Sequence, residues 1–139
     1  MIRLSRPWVP ALLALGVFGC NGNDALREQQ TVAHLCWTEE RLRRSANPDK
    51  AAALADLVAA PCPKPAACAV RDKCAGAYTL HVDALKLIQA AKMQMGDGKG
   101  EQAAALLGAA EANLKRAGVE IGQCTELAAQ LRRDYAVER

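Results

Sequence analysis

Six cysteines and two histidines are the side chains of this chain whose chemistry could reach beyond packing. Cys62, Cys68 and Cys74 recur every six residues, a spacing that suits neither the C-x-x-C of redox centres nor the usual separations of zinc ligands. No C-x-x-C-H is present, which excludes covalent c-type haem. His81 falls on an apolar helical stripe, and a general base there needs a nucleophile or carboxylate within hydrogen-bond reach. Asp83 projects elsewhere on the same helix and no serine lies nearby, so His81 is read as a core-edge histidine bonded to a neighbour. His34 sits off the Val32/Leu35 face and is read as solvated. The stretch Gly96-Asp97-Gly98-Lys99-Gly100 contains a Gly-Lys pair, but GxxxxGK[ST] is not satisfied and no strand precedes it, so it reads as a turn. No catalytic, cofactor-binding or metal site is expected, and an enzyme is the least favoured reading.

The remaining chemistry is at the N-terminus. Arg3 and Arg6 precede an apolar core from Trp8 to Phe18, which is followed by Gly19 and Cys20. Such a core fits the apolar part of an export signal and is too short for a bilayer, which takes about 20 residues. Val17-Phe18-Gly19-Cys20 resembles the bacterial lipobox, with Phe18 where that pattern usually has a small residue. The resemblance implies a diacylglycerol thioether on Cys20, cleavage before it and acylation of the new amine. Asn21 at the following position implies the outer membrane, facing the periplasm. Val17 and Gly19 also suit the ordinary signal peptidase, which would leave Cys20 unlipidated. On the favoured reading, residues 1–19 are the signal peptide, 20–24 the lipidated N-terminus and a short tether, and 25–139 a helical domain.

Composition narrows the partners. The chain carries 18 basic and 15 acidic residues, and the signal removes two of the former and none of the latter. The remainder is close to neutral, so nothing in the charge argues for nucleic acid. Ala and Leu dominate, and Trp37, Tyr78 and Tyr135 supply the aromatic bulk of the exported part. A core of that kind comes from helices that approach closely.

Periodicity places those helices. Residues 24–46 present Val32, Leu35, Cys36 and Leu42 on one face, with Glu39/Arg43 and Glu40/Arg44 as i,i+4 pairs on the exposed side. Asn47 is expected to cap the next helix and Pro48 to open it, over 48–60. Pro61, Pro63 and Pro65 then make a stiff loop around Cys62. A long helix over 66–95 carries Cys74, Tyr78, His81, Leu85, Ile88 and Met95 on one side. Helix four, 100–117, buries Ala103, Leu106, Leu107, Ala110 and Leu114 and stops at Gly118. The last, 123–137, has Cys124, Leu127, Ala128, Leu131 and Tyr135 in a stripe. With no strand pattern and short connections, the expected fold is all-α: a small antiparallel helical bundle of four to five helices, stapled by disulfides.

An oxidising compartment pairs cysteines, and lipidation of Cys20 leaves an odd number. The sharpest pairing is Cys74 with Cys124. Both lie on apolar stripes, and folding back at Gly98 sets them 24 and 26 residues from the turn. A break at residues 118–122 is expected to absorb the difference. Cys36 then pairs with Cys68 or Cys62; Cys68 is preferred, which leaves Cys62 as the unpaired thiol. The function that needs only these features is a lipid-anchored binding or scaffold module for another envelope protein, held at the membrane through its anchor. The chain is also similar to pilotins, lipoproteins that carry a secretin subunit, in length, lipobox, helical content and cysteine use. Arg41, Arg43 and Arg44, Lys115/Arg116 and Arg132/Arg133 are most simply the wet faces of helices, and would form a basic docking patch if they met in space.

Overall fold

A computed structural model describes residues 21–137. Cys20 and residues 1–19, the expected export signal, lie outside them. Four helices run in chain order: α1 (Asn21–Arg44), α2 (Lys50–Ala59), α3 (Pro65–Gly96) and α4 (Gly100–Asp134), with one 3-10 turn, Asn47–Asp49, between the first two. No strand occurs among the described residues. The architecture is the expected all-α bundle.

The frame is the α3–α4 hairpin, each helix about 50 Å long at 1.5 Å per residue. Its seam has a period of seven: Val70, Ala77, Ala84 and Ala91 are buried on α3, and Ala103, Ala110, Ala117, Cys124 and Leu131 on α4. A seven-residue repeat keeps one stripe of each helix against the other, and alanine there lets the backbones close in. The turn is fixed by geometry at Gly98, whose φ of +73° suits glycine. Gly98 N–H donates to the Met95 carbonyl at 3.1 Å and Lys99 N–H to that of Gln94 at 2.9 Å, the two bonds of a Schellman motif.

The α1 and α2 helices cover one side of the hairpin's open end. Val32, Leu35, Cys36 and Leu42 are buried as their spacing predicted, and they share a core with Leu57, Tyr78, Cys74, Cys124 and Leu131. The end of α1 is held from the next helix: Lys50 Nζ donates to the carbonyls of Leu42, Arg43 and Ser45 at 3.2, 3.5 and 2.9 Å. All three ammonium protons are used, at the negative end of a helix dipole. Glu28 ties the base together, accepting from Tyr135 Oη at 2.8 Å and Lys64 Nζ at 3.0 Å.

Several expectations are corrected. Residues 100–134 form one helix, with no stop at Gly118 and no break at 118–122. A helical glycine costs about 1 kcal/mol, which is small beside the packing of Ala110, Ala117 and Cys124 on α3. Asn21 to Asn23, ahead of the expected helix start at residue 24, already belong to α1. Asn47 lies within the 3-10 turn and its side chain caps nothing. Leu107, Leu114 and Leu127 are exposed, because they fall outside the narrow stripe of α4 that packs on α3. Met95, at the tip of the hairpin, is exposed too.

The cysteines pair in part as expected. Cys74 and Cys124 are joined, with Cα atoms 4.9 Å apart. Cys68 is joined to Cys62 and not to Cys36, so Cys62 is not the unpaired cysteine. The reason is local. The proline loop curls into the first turn of α3 and brings those Cα atoms to 5.1 Å, whereas Cys36 lies on the face of α1 that meets α4. Cys36 is the free, buried cysteine among the described residues.

Candidate functional site

A groove of about 740 Å³ lies between the second half of α1 and the last turns of α4. Ala33, Cys36, Ala129 and Val137 give it an apolar floor. Its borders are polar: Trp37, Glu40, Arg41, Arg43 and Arg44 come from α1, and Thr125 and Arg132 from α4. Two helices far apart in sequence are needed to make it.

Arg132 is the hinge pin. Its Nη2 donates to the Cys36 carbonyl at 3.1 Å and to Glu39 Oε2 at 3.0 Å. Glu39 is only 2% exposed, which overturns its expected place on the wet face of α1. Burial pushes its carboxyl above the ordinary value, and the Arg132 charge opposes that rise. Burial likewise raises the Cys36 thiol, so Cys36 is a poor nucleophile at the floor of the groove.

Glu40 organises the other border. It takes a forked pair of bonds from Arg43 at 2.9 and 2.6 Å, and Arg44 Nε approaches at 2.6 Å. The Arg43 bonds lead in holding its carboxyl down to about 2, so it stays charged. Trp37 is 57% exposed, with the Arg41 guanidinium 5.2 Å from its ring centre and the His34 ring stacked at 6.3 Å. Arg41 also pairs with Asp56 of α2.

In its comparison with known proteins, the chain matches no family model, no curated protein and no solved structure.

His81 is not poised for acid–base work. Its Nε2 is buried with no hydrogen-bond partner, in place of the expected bond to a neighbour, and the same holds for Tyr78 Oη three residues earlier. Burial and the nearby Lys50 ammonium hold His81 below the ordinary histidine value. Burial pushes Tyr78 up to about 12. Asp83 is engaged by Lys86 at 3.1 Å. No group of three or more metal-ligating side chains occurs among the described residues, and no described helix is long and apolar enough to cross a membrane.

Of the basic clusters, Arg41, Arg43, Arg44 and Arg132 border one groove, while Lys115, Arg116 and Arg133 are not among its lining residues. Two features escaped the sequence reading. The Lys50 cap has no pattern to announce it. Glu39 did carry a signal, since it falls three and seven residues after Cys36 and Val32 on the buried face.

Proposed function

We propose that this is a lipid-anchored protein of the bacterial cell envelope that binds another envelope protein through the α1–α4 groove. The observation that carries the reading is the groove itself: an apolar floor bordered by an exposed tryptophan and four arginines. Tryptophan and arginine are the side chains most enriched where protein interfaces concentrate their energy. The two disulfides support export, because such bonds persist in oxidising compartments. The lipobox-like stretch ending at Cys20 supports the anchor.

Anchor and binding are tested separately. Grown with labelled palmitate, the wild-type protein should carry label and a Cys20→Ser variant should not. Label retained by the variant overturns the anchor. A photo-reactive residue in place of Thr125, on the groove border, should give one discrete protein adduct in cells. The same residue in place of Lys115 should not, and equal adducts at both positions would argue against the groove.

A second reading is the pilotin-like lipoprotein, in which the partner is a secretin subunit. It is favoured by the groove's form, a trough between two helices. Co-isolation of a secretin with the Thr125 adduct is its test.

A further inference from the structure

From the groove's charge and shape we infer the chemistry of its occupant: an acidic, amphipathic helical segment of the partner. This rests on the binding role proposed above and goes on to specify what is bound.

Shape comes first. The lining residues on α1 run from Ala33 to Arg44, a rise of about 17 Å. That length holds a helix of about 12 residues, and an apolar trough of helical length is the usual seat for an amphipathic helix's apolar face. A short peptide in extended form would leave sheet-type hydrogen bonds unmade, since both walls are helices whose backbone groups are already paired.

Charge sets the rest. Among the lining side chains there are four guanidiniums, those of Arg41, Arg43, Arg44 and Arg132, and one carboxylate, that of Glu40. Glu40 is occupied by Arg43 and Arg44, and Glu39 lies buried beneath Arg132. Arg44 and Arg41 remain 74% and 44% exposed as side chains. Each guanidinium has five N–H donors in a rigid fork, more than its present partners use. A segment that sets leucine-type side chains on the floor and carboxylates along both flanks would meet these donors. Asp56, Glu40 and Glu39 offset three of the four charges, so a basic segment would face borders that are still net positive.

The test uses the full-length protein purified in detergent and two labelled helical peptides of about 15 residues. Both have leucines on one face; one is flanked by glutamates and the other by lysines. The glutamate peptide should bind at least about tenfold more tightly and should weaken as salt is raised. An Arg41→Glu/Arg44→Glu double variant with an unchanged melting profile should lose or reverse that preference. Equal binding of the two peptides, or a double variant that still prefers glutamate, overturns the inference. The cellular cross-link separates this from the wider reading. An adduct whose contacting segment is basic keeps the protein-binding role and overturns the acidic occupant. An adduct to this chain's own N-terminal segment overturns both.

Discussion

Arg132 and Glu39 meet at 3.0 Å with both side chains largely withdrawn from water, and the pair joins the end of α4 to the middle of α1. Removing one partner strands the other. Arg132→Ala should therefore destabilise the fold by about 3 kcal/mol, because Glu39 would be left buried without a counter-charge. An Arg132→Met/Glu39→Gln double variant should recover much of that loss. Urea unfolding of the three proteins checks this; a double variant that is no better than Arg132→Ala would show that packing dominates.

The two disulfides should differ in their contribution. Cys74–Cys124 spans a sequence separation of 50 and Cys62–Cys68 one of 6. Chain entropy alone assigns them about 4 and about 2 kcal/mol. Paired serine substitutions at each bridge, followed by denaturant titration, should preserve that order. Non-reducing peptide mapping should find Cys36 alkylated only after unfolding.

Stability should fall on mild acidification through His81. Its folded-state affinity for a proton is depressed, so below the ordinary value of 6.5 the unfolded chain takes up a proton that the folded chain resists. The contribution is whole above that value and is lost as pH falls through the folded pKa. Lys50 and Tyr78 face the same corner, where burial lowers the lysine and raises the tyrosine to about 12. The difference in unfolding free energy between wild type and His81→Gln should shrink as pH is lowered from 7 towards 5. A pH-independent difference would remove His81 from the account.

Gly118 and Gly122 lie inside α4, and a methyl group added at either meets nothing within 4 Å. Each substitution to alanine should therefore raise stability by about 1 kcal/mol. Thermal melts of the single variants decide this, and destabilisation by either would argue for a real break in the helix.

What the sequence disclosed was whatever follows from one helix or one turn. The buried stripe of α1, the Gly96–Gly100 turn and the Cys74–Cys124 match all come from local periodicity carried across a single reversal. Cys62–Cys68 was missed because a loop's curl is not periodic. Gly118 was read as a stop because a glycine after an apolar run resembles a helix end, and only the seam with α3 carries the helix through. The leucines at 107, 114 and 127 were placed inside by their hydrophobicity, although the alanine seam has no room for them. The groove was legible only as separate basic clusters, since Arg41 and Arg132 belong to helices at opposite ends of the chain.

The first turns of α1 bear on how the molecule would stand at a bilayer. Residues 22–27 are all exposed, ahead of the point where Glu28 meets Tyr135, so α1 emerges from the bundle as a bare helical post. If Cys20 carries the lipid, the post is rigid and sets heights. Along α1, Ala33 is 12 residues past Asn21 and lies about 18 Å from it. Gly98 closes the far end of the hairpin, about 50 Å beyond the base. The binding trough would then lie low, close to the headgroups, while the tip reaches outward. A partner held there would have to offer its acidic segment near the membrane surface, on its own lipid-facing flank.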